Sequence, residues 1–167
     1  EEGTLLVEGG NTGGAFLIGA ELADFQIEVD FNYEVGGGPD YGAFARITRH
    51  ANETANGYFF LINNGNLQIL RLQNDQPVAV VGQASPTQAL ESGWLRLVFT
   101  GIGDQLTGHV YSTDQPEALL GEVSGADSTY TSGLVLLGGS NSSGFRAEYD
   151  NLKVLDSNEP DGCGDIT

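Results

Sequence analysis

The sequence predicts an all-β chain folded as an antiparallel two-sheet β-sandwich, and three observations carry that expectation. Apolar and polar residues alternate over several short stretches, which is the period of a strand with one buried face. Turn signals rich in Gly, Asn and Asp recur about every ten residues, the spacing of sandwiches and barrels. The composition also suits strands and tight turns: 25 Gly and no Met among 167 residues, with 17% charged. No long helical period and no internal repeat is present.

Taken in order, residues 4–7 read as a short strand, followed by the loose run Gly9-Gly10-Asn11-Thr12-Gly13-Gly14. A brief strand is expected at 16–18. The clearest alternation is at 24–31, where Phe25, Ile27, Val29 and Phe31 share one face and Gln26, Glu28, Asp30 and Asn32 the other. The glycines and proline of Gly36-Gly37-Gly38-Pro39-Asp40 make a loop, because such residues do not suit a central strand. Residues 41–49 and 57–62 are strands on either side of a polar loop. Asn63-Asn64-Gly65-Asn66 is a hairpin turn, since Asn and Gly tolerate positive φ. A strand at 67–72, a turn at 73–77 and a short strand at 78–81 follow.

Residues 93–112 form the most explicit hairpin. Leu95, Leu97 and Phe99 face the core in its first arm, with Arg96, Val98 and Thr100 opposite and a turn at Gly101-Ile102-Gly103-Asp104. Leu106, Gly108 and Val110 answer in the second arm, with Thr107, His109 and Tyr111 facing out. Strands at 118–123, 133–138 and 144–155 complete the set. Asp150 interrupts the last of them between Tyr149 and Leu152, both suited to the core, so a bulge is expected at Asp150-Asn151. The chain divides into a strand with a Gly-rich hinge at 1–14, a sandwich at 15–155 and an acidic tail at 156–167.

Six Lys and Arg against 23 Asp and Glu give a net charge of −17. Such a surface repels phosphate backbones and anionic lipid, so nucleic acid and membrane surfaces are not expected partners. No apolar run reaches the roughly 18–20 residues of a membrane helix. A start at Glu1 without Met is what a mature secreted protein shows. The sequons at Asn52 and Asn141 are glycosylation candidates that fit an extracellular or cell-surface location. Cys163 has no cysteine to pair with in its own chain, leaving a free thiol or an intermolecular partner.

Asp24-Phe25 opening a strand, Gly57-Tyr58-Phe59, Gly93-Trp94-Leu95-Arg96-Leu97 with its Gly-Asp turn, and Gly133-Leu134 followed by Tyr149-Asp150-Asn151-Leu152 occur in this order. In these residues the chain resembles, over about 4–155, the concanavalin-A-like and laminin-G-like jelly rolls of bacterial extracellular proteins. The resemblance implies a jelly-roll sandwich. Members bind glycans, accompany hydrolases, act as adhesive or structural modules, or are hydrolases themselves, so fold alone narrows function little. It also implies a Ca2+ ion beside the terminal strands, with Asp150 and, more weakly, Asp24 at the matching positions.

Related glucanases carry Glu-x-Asp-x-x-Glu on one strand, which sets a nucleophile and an acid about 5 Å apart. Glu28-Val29-Asp30 begins that pattern, but Tyr33 stands where the third acid belongs and Glu34 falls on the opposite face. Neither His50 nor His109 lies in a nucleophile or zinc motif, so the chain is read as no enzyme. A glycan site needs aromatic and planar polar groups on a rigid face. The outward set Arg96, Thr107, His109 and Tyr111 offers them, with Gln68 or Arg71 placed on the same sheet. Tyr41, Tyr58 and Tyr130 are further candidates, whereas Trp94 is assigned to the core. Thr4, Leu5, Leu6 and Val7, on a Gly-rich hinge, could add to a neighbour's sheet edge, with Cys163 as a possible link between chains. The leading expectation is a secreted, non-catalytic structural or adhesive module that associates with copies of itself, as in a filament. The alternative is a calcium-supported carbohydrate-binding module.

Overall fold

The computed structural model describes residues 4–9, 12–16, 21–36, 40–140 and 145–157. They form twelve strands: β1 (Leu5–Gly9), β2 (Thr12–Phe16), β3 (Phe25–Tyr33), β4 (Asp40–Arg49), β5 (Ala55–Asn63), β6 (Asn66–Gln73), β7 (Gln76–Ala84), β8 (Gly93–Ile102), β9 (Gln105–Ser112), β10 (Leu119–Ala126), β11 (Leu134–Ser140) and β12 (Phe145–Asp156). Six strands in the order β1-β12-β3-β8-β9-β10 make sheet I, and six in the order β2-β11-β4-β5-β6-β7 make sheet II. Each pairing is antiparallel, so the expected two-sheet sandwich is the fold observed.

Local chemistry explains the hairpins. Asn64 and Gly65 take φ of 47° and 78°, and Asn74 and Asp75 take 50° and 63°. Two consecutive positive φ angles match the twist of the flanking strands, and Asn, Asp and Gly reach them cheaply. The β8–β9 hairpin is tighter than the sequence suggests: its strands run on to the pair Ile102 and Gln105, leaving Gly103 and Asp104 as the connection. Strand β7 is also longer than expected. Pro77 is accommodated because β7 is an edge strand.

The inward faces of β3, β8 and β9 meet those of β4, β5 and β6 in one core, which includes Phe25, Ile27, Val29, Phe31, Leu97 and Phe99 opposite Tyr58, Phe60, Ile62, Leu67 and Ile69. Phe99 packs edge-on to Phe25 with ring centres 5.1 Å apart and lies 5.6 Å from Phe60. Each such ring contributes roughly 1.5–3 kcal/mol relative to exposure. Gly108 faces Phe60, whose ring would lie 2.5 Å from a Cβ at that position. The glycine in an otherwise apolar series therefore admits the facing phenylalanine.

The two outer faces differ in character. That of sheet II carries a second apolar cluster of Phe44, Ile47, Phe59, Leu61 and Leu72, with Phe44 and Phe59 stacked at 3.9 Å. That of sheet I is polar and aromatic. Along one side the β7 and β10 edges approach closely at Gly82, where an added Cβ would stand 2.5 Å from the Ser124 carbonyl.

Within the chain, the amino-terminal residues pair as follows. β1 lies on β12 of its own chain, with Leu5 opposite Tyr149 and Val7 opposite Ala147. The run read as a hinge contains β2, which pairs with β11 in the other sheet. The 14/15 boundary therefore falls inside a strand. Propensity disfavours glycine in strands, but backbone pairing of Gly13 and Gly14 with Gly139 and Gly138 overrides that preference. Asn141, Cys163 and the tail from 158 onward lie outside the described residues.

Candidate functional site

Strands β12, β3, β8 and β9 are adjacent in sheet I, and their outward side chains form the site. Register fixes the rows. Asp150 stands opposite Asp30, Asp30 opposite Arg96, and Arg96 opposite Tyr111. The next row along the strands brings Lys153, Glu28, Val98, His109 and Glu122 together. In the row on the other side, Asn32 stands opposite Trp94.

At the centre, Arg96 donates from Nε to Asp30 Oδ1 at 2.7 Å and from a terminal nitrogen to Asp30 Oδ2 at 3.1 Å. Its third nitrogen is 3.3 Å from Glu28. Asn151 Nδ2 donates to Asp30 Oδ2 at 2.8 Å. Asp30 is 5% exposed, so this carboxylate is buried and its oxygens are occupied. The hydrogen bonds to Asp30 push the Arg96 guanidinium further above its ordinary value, against the opposing pull of desolvation. The expected bulge supplies the Asn151 contact: register breaks between Asp150 and Lys153, and Asn151 takes φ 53°.

Around this network stand three rings. The His109 and Tyr111 rings lie 5.9 Å apart with their planes inclined by 30°, and His109 Nε2 is 2.8 Å from Glu122. Trp94 is 38% exposed, with its carbonyl bound by the Thr113 hydroxyl at 2.8 Å. This corrects the assignment of Trp94 to the core. Its parity is that of Arg96, and the strand alternation that turned Arg96 outward also turned Trp94 outward. Beside Trp94 an open cleft of about 520 Å³ is lined by Asn32, Tyr33, Glu34, Ser92, Gly93, Arg146 and Glu148.

Arg96, Thr107, His109 and Tyr111 are thus on one face, but Gln68 is not with them. It lies on β6 of sheet II, beside Gln83 at 3.3 Å. Arg71, also on β6, bonds Asp127 at 2.7 Å at the sandwich margin. Tyr58 is a core residue with no exposure, not a loop platform. Its hydroxyl donates to Asp127 Oδ1 at 2.7 Å and is pushed up to about 12, chiefly by burial. The Tyr130 hydroxyl is likewise engaged, donating to the Leu72 carbonyl at 2.8 Å. Hairpin reading gives sequence neighbours but not which sheet a hairpin joins, hence the misplaced β6 residues.

The two calcium candidates do not meet. Asp24 precedes β3, and Asp150 pairs with Asp30 six residues further along, a separation of about 20 Å at strand rise. Asp24 accepts the Gly103 amide at 2.8 Å and lies 3.7 Å from Arg46, so a cation already balances it. Asp150 Oδ1 accepts the Asn151 amide at 2.8 Å. Among the described residues no group of three metal-ligating His, Cys, Asp or Glu occurs. Asn52 is exposed in the β4–β5 turn, where its Oδ1 accepts from the Thr54 hydroxyl at 2.7 Å. Leu5 and Leu6 are 39% and 43% exposed on β1, Thr4 just before it is exposed, and Val7 is in the core.

The catalytic comparison also has a geometric answer. Glu28 and Asp30 share a face, yet one guanidinium engages both. Tyr33, in the position of the third acid, is 7% exposed and packs in the core.

Two packed antiparallel sheets make this chain a jelly-roll-like β-sandwich, and solved structures share that fold. The carbohydrate binding module CBM66 from Bacillus subtilis matches with a TM-score of 0.66 at 15% identity, over 87% of this chain and 83% of that one. A β-1,3-1,4-glucanase (lichenase) from a mouse hindgut metagenome matches at TM-score 0.59 and 9% identity, over 90% and 78%. Sheep galectin-11 matches at 0.52 and 10%, over 86% and 96%. At such identities the likeness concerns the fold alone. No family model matches the chain, and no curated protein sequence does.

Proposed function

We propose that the protein is an extracellular, non-catalytic carbohydrate-binding module that holds glycan on the outer face of sheet I. One observation carries the reading: an Asp30–Arg96–Glu28 network, with Asp30 buried and Arg96 and Glu28 half-buried, lies on the same sheet face as Trp94, Tyr111 and His109. Sugar rings present apolar patches rimmed by hydroxyls, which aromatic faces and fixed polar groups complement. The same engagement leaves neither Glu28 nor Asp30 free as acid or nucleophile, which favours binding over hydrolysis. The fold likeness to a carbohydrate binding module supports the reading. Calcium stays outside it, because Asp24 and Asp150 stand apart and each already has partners.

Affinity electrophoresis of the intact chain through gels containing different polysaccharides tests the proposal. Retardation by at least one polysaccharide is expected, and Tyr111→Ala and His109→Ala each weaken it about tenfold with little change in melting temperature. Retardation untouched by both variants would move the site off this face.

A second reading, self-association through strand exchange, is favoured by β1. It is an edge strand with two exposed leucines, and the pairing it makes with its own β12 offers the same hydrogen bonds to the β12 of another copy.

A further inference from the structure

Resting on the carbohydrate-binding reading, we infer that the ligand is an uncharged polysaccharide held along its length, not an acidic glycan and not a chain end. The first ground is charge. Arg96 is committed to Asp30 and Glu28, Lys153 lies 3.9 Å from Glu28, and Arg146 lies 3.4 Å from Glu148. Each of these cations on the outer face of sheet I is therefore matched to a carboxylate. A uronate or sulfate would have to displace such a pair while approaching a chain of net charge −17. A neutral sugar needs only hydrogen bonds and ring stacking.

The second ground is spacing. Arg96 pairs with Tyr111 and Val98 with His109, so Trp94 lies one strand over and two residues along from Tyr111. Strand rise and spacing then put the backbone of Trp94 about 8 Å from Tyr111 and about 14 Å from His109. A single sugar ring cannot cover that line, whereas successive rings of a chain can. Asn32, opposite Trp94 on β3, donates to Glu148 of β12 at 3.0 Å, and the cleft that these two line extends the row of contacts across two further strands. A surface of that length engages several consecutive sugar residues, not one terminal residue.

Calorimetry on the intact chain decides the matter. The probes are neutral polymers (glucan, mannan, xylan and fructan), the polyuronates polygalacturonate and alginate, and graded oligosaccharides of the polymer bound best. The expected result is binding of a neutral polymer, an affinity that rises about tenfold or more from monosaccharide to tetrasaccharide, and equal binding of oligosaccharides with native and reduced ends. Trp94→Ala, at an exposed position, should cost about tenfold with the melting temperature unchanged. Preference for a polyuronate, or a monosaccharide that binds as well as the tetrasaccharide, overturns the inference and leaves the carbohydrate-binding reading standing. Binding of neither class removes that reading and the inference with it.

Discussion

The guanidinium of Arg46 lies in the interior, 2% exposed, at a bulge where its own φ is 52°. It donates to the carbonyls of Ala23 at 2.9 Å, Tyr130 at 3.1 Å and Gly103 at 2.7 Å, and its face meets Phe25. One side chain thereby ties the approach to β3, the β8–β9 turn and the loop before β11 to strand β4. Arg46→Met would leave these carbonyls and Asp24 without their partner, at a cost of about 3–5 kcal/mol in urea unfolding. Arg46→Lys should recover only part of this, because an ammonium cannot reach divergent acceptors as a planar fork does. A loss below about 1 kcal/mol for Arg46→Met would show that water replaces the guanidinium. Nothing in the sequence around Arg46 marks it as buried. Its parity in β4 depends on the bulge, and the acceptors come from segments distant in the chain.

At the scale of elements, Asp127 joins β5, β6 and the segment after β10. Burial pushes its carboxyl up, but hydrogen bonds from Thr129 and Tyr58 and the charge of Arg71 outweigh it and hold the group below its ordinary 3.8. A depressed folded value means that its contribution is present above 3.8 and is lost as pH falls through the lower folded value. Asp127→Asn should therefore destabilise by about 1–3 kcal/mol at pH 7. The gap to the parent should narrow below pH 3.8. Urea unfolding at both pH values checks this, and a gap independent of pH would mean that the carboxylate charge is irrelevant. Legibility was uneven at this scale. The turns at Asn64-Gly65 and Asn74-Asp75 and the bulge at Asp150-Asn151 could be read from residue type and broken alternation, since each is decided within a few residues. Strand β2 could not be read, because its pairing with β11 is long-range.

For the whole molecule, the question is whether β1 serves its own chain only. Exchange of β1 between copies predicts a light-scattering mass above 17.6 kDa that rises with concentration and returns to that of a single chain when residues 1–9 are removed. A single-chain mass at every concentration would confine β1 to its own β12. The asymmetry of the sandwich bears on function at the same scale. Sheet II buries an apolar cluster on its outer face, so the polar and aromatic groups suited to an open glycan site gather on sheet I.

By itself the sequence determined the class of fold, the hairpins, the inward face of β3 and β8, and the outward placing of Arg96, His109 and Tyr111. All of these follow from period-two alternation and turn chemistry, which act over a few residues. Only the tertiary structure decided that β1 and β2 belong to opposite sheets and that Gln68 lies away from the aromatic face. It also decided that Asp30, which reads as a solvated strand acid, is buried against Arg96 and Asn151. Those outcomes depend on which strands become neighbours, and strand neighbours are chosen by packing between segments far apart in the chain.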